Sequence, residues 1–192
     1  MVKIGVVGAG FMGGTHARAL AKLPGVQVVG VSSRREEKAA ALAQEVGAQP
    51  TTDAMALATD PGVDAVSITL PTYLHREYAV AALRAGKHVL LEKPMGLTVA
   101  ECDEIIEAHK RSDTVLMLSH TLSFWPEYHT LAKFVHSGAI GKPIAATAFR
   151  QVTPPAWSPW FQDAELCGGE VLDLHIHDLD ALNWLFGPPL SL

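Results

Sequence analysis

Val2-Lys3-Ile4-Gly5-Val6-Val7-Gly8-Ala9-Gly10-Phe11-Met12-Gly13 opens the chain with an apolar, β-branched run, three glycines in G-x-G-x-x-G spacing, and then a segment of helical periodicity. The order of these three parts is what makes the pattern informative. Gly8 permits a tight turn, Gly10 lets backbone approach a pyrophosphate, Gly13 allows helix and strand to pack closely, and the helix start presents oriented amides to an anion. The stretch reads as a dinucleotide cradle, with Gly8, Gly10, Phe11, Met12 and Gly13 as the expected contacts.

Downstream the alternation continues, as in consecutive βαβ units of a parallel sheet. Strands are predicted at Lys3 to Val7, Gln27 to Ser32, Ala48 to Pro50, Ala65 to Thr69, His88 to Leu91 and Val115 to Ser119. The first is apolar almost throughout, as a central strand covered on both faces should be. Ser33 with Glu36, and Thr98 with Glu101, have capping-box spacing and mark helix starts. Gly86 is expected to close a helix running from His75.

After residue 120 the rhythm changes. A helix to His136, a strand at about Ile144 to Gln151, a loop rich in proline and tryptophan, and a last helix over roughly Gly169 to Phe186 are predicted. The fold class is therefore α/β: a Rossmann-type doubly wound parallel sheet over residues 1–120, followed by a partial α+β second domain over 121–192. Its lone strand lacks partners within the chain, and an unpaired edge seeks another chain or a further segment.

Composition excludes several classes of protein. With 192 residues, 48% hydrophobic and 18% charged, 16 glycines and a net charge of −5, the chain is neither disordered nor collagenous. Two cysteines, Cys102 and Cys167, make no disulfide framework. No cluster of basic residues points to nucleic acid, and no uninterrupted run of about 18 apolar residues points to a membrane span. Glycines interrupt the apolar N-terminus where a signal peptide would be continuous, so a cytoplasmic location is expected.

The end of the second strand bears on which dinucleotide is bound. A carboxylate there hydrogen-bonds the adenosine ribose of NAD, whereas arginine accommodates the 2′-phosphate of NADP. The sequence reads Val31-Ser32-Ser33-Arg34-Arg35, with no acid before Glu36. Two guanidiniums and two hydroxyls, on Ser32, Ser33, Arg34 and Arg35, favour NADP, with NAD still possible.

Leu70-Pro71-Thr72 with His75, then Ala85-Gly86-Lys87-His88-Val89-Leu90-Leu91-Glu92-Lys93-Pro94, then Gly168-Gly169-Glu170-Val171-Leu172-Asp173-Leu174-His175-Ile176-His177-Asp178 follow the glycine turn in order. Together these segments resemble the Gfo/Idh/MocA family, that of glucose–fructose oxidoreductase and myo-inositol dehydrogenase. The resemblance implies a hydride-transferring oxidoreductase acting on a sugar, polyol or related small hydroxy compound, and a homo-oligomer. It also implies that Lys93, Asp173 and His177 are catalytic, and that Leu70, Pro71, Thr72, His75, Glu92 and Lys93 contact the cofactor. The chemistry is consistent: oxidising an alcohol requires removal of a hydroxyl proton, for which histidine is a suitable base, and a lysine at a strand's C-terminal edge can stabilise charge on the same oxygen. Asp173 precedes His177 by four residues and is expected one helical turn before it, placed to orient the imidazole or bind a substrate hydroxyl.

The sequence departs from the family pattern at His175, where glycine is frequent, and at Ser123-Phe124, where an arginine-phenylalanine pair is frequent. Members also continue with a larger sheet, so the chain resembles a truncated member. A catalytically impaired cofactor-binding or scaffold protein, and a fragment of a longer dehydrogenase, are the alternative readings. His175 and His177, two apart on a helix, diverge by about 200°, so no metal is expected. Trp157, Trp160 and Phe161 are candidates either for stacking on a sugar ring or for core packing.

Overall fold

In the computed structural model, which describes residues 1–153 and 159–191, the chain divides into two compact units, Met1–Ser119 and His120–Leu192. The first alternates strand and helix: β1 (Val2–Val7), α1 (Phe11–Leu20), β2 (Val26–Ser32), α2 (Glu36–Val46), β3 (Gln49–Thr51), α3 (Ala54–Thr59), β4 (Ala65–Ile68), α4 (His75–Arg84), β5 (His88–Leu91), α5 (Val99–Lys110) and β6 (Leu116–Leu118). The six strands pair in parallel in the order β3-β2-β1-β4-β5-β6. Strand order reverses at the β1/β4 boundary, and open α/β sheets bind ligands outside the carboxyl ends of the strands at such a switch point.

Side-chain alternation along β1 explains why the sheet has helices on both faces. Val6 and Val7 are both fully buried, yet they belong to different cores. Val6 joins Ala17, Val28, Val31, Leu42 and Ala43 beneath α1 and α2. Val7 joins Leu57, Ile68, Leu83, Leu91 and Ile105 beneath α3, α4 and α5. Each large aliphatic side chain buried this way contributes about 1.5–3 kcal/mol.

The segment Ala85-Gly86-Lys87-His88 is explained by this framework. Gly86 takes a left-handed φ of 74° just after α4, which glycine adopts without penalty. Lys87, 7% exposed, donates from Nζ to the Val63 carbonyl at 2.8 Å, and His88 Nδ1 accepts the Val115 amide at 2.9 Å. These residues fasten β5 between its neighbours, and the chemistry-bearing part of the motif begins at Glu92.

Of the two predicted helix caps, one forms and one does not. Thr98 caps α5 by accepting from Glu101 N–H, but the Glu101 carboxylate reaches past Thr98 to the Leu97 amide at 2.7 Å. The capping box expected at Ser33 does not form. Ser33 Oγ accepts from Arg35 N–H at 3.2 Å, a local turn that competes with capping and delays α2 until Glu36, with Arg35 as its N-cap.

The second unit holds α6 (Pro126–His136), α7 (Ala164–Cys167), a π-helical turn (Val171–His175) and α8 (Ile176–Phe186). The strand expected at Ile144 to Gln151 is not formed. Among the described residues this unit has no other strand to complete a ladder, and Ile144 and Phe149 are 98% and 84% exposed. Nor does one regular helix run from residue 169. Gly168 and Gly169 both have left-handed φ, 79° and 78°, so α7 stops at Gly168 and the chain restarts through the π turn. Trp157 lies outside the described residues, while Trp160 stacks on Phe161 with ring centroids 3.9 Å apart.

Candidate functional site

The site is assembled on the first unit from the loops that leave β1, β2, β4 and β5. Gly8 N–H donates to the Ser32 carbonyl at 3.2 Å, Thr69 N–H to the Val7 carbonyl at 2.9 Å, and Thr69 Oγ1 to the Gly8 carbonyl at 2.9 Å. The ends of three strands are thereby stitched around the glycine turn.

Within the turn the three glycines do different work. A Cβ on Gly13 would lie 1.8 Å from the Gly8 carbonyl oxygen, and one on Gly8, where φ is 112°, would lie 2.9 Å from the Thr69 carbonyl oxygen. These two are glycine because the turn is tight. A Cβ on Gly10 would meet nothing within 4 Å, so the turn leaves open space there. Gly10 is also the N-cap of α1, which among the described residues has no side-chain cap and no acidic residue in its first turn. Phe11 is 74% exposed at the helix start and Met12 half-buried beside it. Open space above an uncapped helix N-terminus is the local requirement for a bound diphosphate.

At the end of β2, Ser32 is fully buried and its Oγ has no hydrogen-bond partner among the described residues. A buried hydroxyl without a partner carries a desolvation cost that a ligand oxygen or water can relieve. Arg34 and Arg35 are exposed. These residues and the open turn fit a dinucleotide.

The loop after β4 runs Leu70, Pro71 and the buried Thr72 into the 3-10 turn Thr72–Leu74 and then α4. His75, 1% exposed, opens that helix. Its Nδ1 lies 2.8 Å from the Pro94 carbonyl and its Nε2 2.8 Å from the Leu70 carbonyl. Both ring nitrogens thus face carbonyl oxygens, of which a neutral ring donates to one and a protonated ring to both, and His75 lies between the two loops of the site. Burial pulls the imidazole pKa below its ordinary value, against the opposing pull of the two carbonyls.

Glu92 and Lys93 leave the C-terminal end of β5, with Lys93 half-buried and the Lys93–Pro94 bond cis. Glu92 is 6% exposed; its Oε2 accepts the Lys93 amide at 3.2 Å and its Oε1 lies 3.0 Å from His16 Nε2. His16 belongs to α1, and its other ring nitrogen is 2.8 Å from Ser67 Oγ on β4. Sequence reading missed His16 and Ser67. The available signal is a polar residue on the inward side of α1 and another at an inward position of a buried strand.

In the second unit, Asp173 sits inside the π turn and His177 in the first turn of α8. The expectation that Asp173 lies one α-helical turn before His177 is corrected: the wider i→i+5 turn between them breaks that register, as π turns at functional sites frequently do. Asp178, next to His177, is buried and held by Arg150 through two bonds of 2.8 Å, Nε to Oδ2 and Nη2 to Oδ1. The guanidinium keeps the Asp178 carboxyl below its ordinary pKa. His175 Nδ1 lies 3.3 Å from Asp178 Oδ2. No sequence pattern announces the Arg150–Asp178 pair, whose members are 28 residues apart.

Residues 2–120 match the family profile described as an oxidoreductase family with an NAD-binding Rossmann fold, and residues 128–192 match the GFO/IDH/MocA C-terminal domain. The chain belongs to the GFO/IDH/MocA oxidoreductase family. Among relatives, the 1,5-anhydro-D-fructose reductase of Ensifer adhaerens is 35% identical over 188 residues, covering 96% of this chain and 56% of that enzyme. The myo-inositol 2-dehydrogenase of Thermotoga maritima is 32% identical over 188 residues, covering 97% and 55%. A crystal structure of a 3-ketoreductase from Actinomadura kijaniata, in complex with NADP and TDP-benzene, superposes with a TM-score of 0.84 at 26% identity, covering 97% of this chain and 57% of that one. The chain thus spans about 55% of the length of the curated relatives it matches. Among the described residues, no helix of this GFO/IDH/MocA chain is long and apolar enough to cross a membrane, and no group of three or more His, Cys, Asp or Glu is placed to hold a metal ion.

Proposed function

We propose that this chain carries the dinucleotide-binding and proton-handling residues of an NAD(P)-dependent oxidoreductase that acts on CH–OH groups of a sugar, polyol or related small molecule. The observation that carries the reading is the open space at Gly10 over the uncapped start of α1, at the sheet's switch point and on the same sheet edge as Lys93. When bound, the nicotinamide supplies the hydride acceptor or donor. The protein's part is to hold the diphosphate with the amides of Gly10 to Gly13, to support the nicotinamide ribose with the loop Leu70-Pro71-Thr72, and to manage the substrate proton.

For the proton, Lys93 donates a hydrogen bond to the reacting oxygen and stabilises the charge that develops there. His177 takes the hydroxyl proton in the oxidative direction and returns it in reduction. Asp173 binds a neighbouring substrate hydroxyl. This assignment rests on the family resemblance of the segment from Gly168 to Asp178, and on Arg150 and Asp178 fixing the helix turn that carries His177.

NADP is the preferred dinucleotide in this reading. The ribose end of the site has hydroxyls on Ser32 and Ser33 and exposed guanidiniums on Arg34 and Arg35, with no carboxylate before Glu36. A 2′-phosphate gains charge-assisted hydrogen bonds from such a set, and a bare ribose lacks its usual acceptor. The cytoplasm is the compartment consistent with two free cysteines.

The test is a panel of sugars and polyols assayed for NADP reduction, first with the unaltered chain and then with Lys93→Ala and His177→Ala. Both substitutions are expected to abolish hydride transfer and leave NADPH affinity within about threefold, since neither residue is assigned to the diphosphate. Undiminished turnover in both variants would remove these residues from catalysis.

A further inference from the structure

A buried polar string runs across the first unit beneath the glycine turn. It begins at Ser67, 1% exposed on β4, passes through His16 on α1, and ends at Glu92, whose second oxygen accepts the amide of Lys93. The elements it joins have separate duties in the oxidoreductase reading: α1 would take the diphosphate, and the end of β5 carries the lysine.

The chemistry of the string fixes its direction. A carboxylate only accepts, so His16 Nε2 must be protonated to favour Glu92, and Nδ1 then meets the Ser67 hydroxyl either as acceptor or as donor. The contact is close but poorly aimed. His16 Nε2 lies 3.0 Å from Glu92 Oε1, yet among the described residues that oxygen receives no well-directed hydrogen bond. A buried carboxylate oxygen in that condition gains from any small movement of α1 that aligns the N–H with it. His16 lies five residues after Phe11, the first residue of α1, so a shift of the helix start is passed along a rigid rod of about 7–8 Å.

We propose that His16 is a positioning residue through which occupation of the glycine turn sets the placement of Lys93. Diphosphate binding moves α1, His16 Nε2 closes on Glu92 Oε1, and Glu92 carries the Lys93 backbone through its Oε2. His16 touches neither substrate nor cofactor. The inference rests on the dinucleotide reading above, and the experiment separates the two.

The probe is ADP-ribose, which has the diphosphate but no nicotinamide and so has no ring to place beside Lys93. With the 15N-labelled chain, ADP-ribose is expected to shift the Gly10, Gly13 and Lys93 amide resonances with one midpoint. In His16→Ala the glycine amides still respond and the Lys93 response falls at least fivefold, while His16→Gln, which keeps an N–H directed at Glu92, restores part of it. A Lys93 response that persists in full in His16→Ala overturns the proposal, as does a silent Lys93 amide in the unaltered chain when the glycines respond. If no glycine amide responds, the dinucleotide reading itself fails. Should His16→Ala not fold, the His16 Nε2 resonance of the unaltered chain serves instead: it must move with the Lys93 midpoint, and a stationary Nε2 refutes the coupling.

Discussion

His75 stands between two loops of the site: its Nδ1 lies 2.8 Å from the Pro94 carbonyl, and its Nε2 lies 2.8 Å from the Leu70 carbonyl. Because β4 and β5 are adjacent strands, this one ring sets the spacing between the loop assigned to the nicotinamide ribose and the turn that carries Lys93.

The His75 link predicts a pH-dependent stability. Burial lowers the folded pKa below the ordinary 6.5, so the folded chain resists a proton that the unfolded chain accepts. The contribution of His75 is fully present above about pH 6.5 and declines as pH falls toward the lower folded value. Compared with His75→Gln, the Tm advantage of the unaltered chain is expected to shrink between about pH 7 and 5. An advantage that stays constant or grows over that range contradicts this.

The three glycines of the first turn are predicted to separate into two classes. Gly13→Ala forces a Cβ against the Gly8 carbonyl oxygen, and destabilisation of about 1–3 kcal/mol or more follows. Gly10→Ala has room and a φ of −83°, which any residue adopts, so its stability change stays within about 0.5 kcal/mol. Thermal unfolding of the two variants tests the distinction, and equal losses would contradict it.

Much of this framework was legible in the sequence. All six strands fall within one residue of their predicted bounds at each end, most of them because a buried parallel strand is rich in β-branched side chains. The Thr98 cap was equally legible, since a cap is a local interaction. What failed depended on partners or competition. The run from Ile144 to Gln151 has strand composition, but a ladder needs a second strand, which composition does not supply. Ser33 had two local backbone amides to choose between and took the nearer. The π turn before α8 follows from two left-handed glycines whose φ values a residue pattern does not specify. His16 and Glu92, like Arg150 and Asp178, meet only because the chain folds back over dozens of residues.

Removing the Arg150 guanidinium leaves the Asp178 carboxylate buried beside His175 without its two-pronged partner. Arg150→Ala is expected to cost about 3 kcal/mol in the second unit, the usual penalty for breaking a buried pair from one side. Because the pair holds the Asp178 pKa below its ordinary 3.8, its contribution is present above that pH and is lost as the pH falls through the lower folded value. Calorimetric unfolding at pH 7 and near pH 3 checks both: the deficit of the variant narrows at acid pH, and a deficit independent of pH is the contrary result.

Cofactor choice is predicted to reside in Arg34 and Arg35. Each charge-assisted hydrogen bond to a phosphate is worth about 1.5–3 kcal/mol, so Arg34→Ala or Arg35→Ala should weaken NADPH binding roughly 10- to 100-fold while leaving NADH nearly unchanged. Fluorescence titration with both dinucleotides measures the ratio. Equal affinities for the two in the unaltered chain would assign the arginines to solvent.

The most direct measurement is calorimetric titration of NADPH into the unaltered chain and into Gly10→Val, whose Cβ meets nothing within 4 Å in the open turn and whose branched side chain takes the space assigned to the diphosphate. Saturable binding to the first, with no detectable heat from a second that unfolds at the same temperature, is the predicted result. Equal binding by both chains would place the dinucleotide elsewhere, and binding by neither would remove it from this protein.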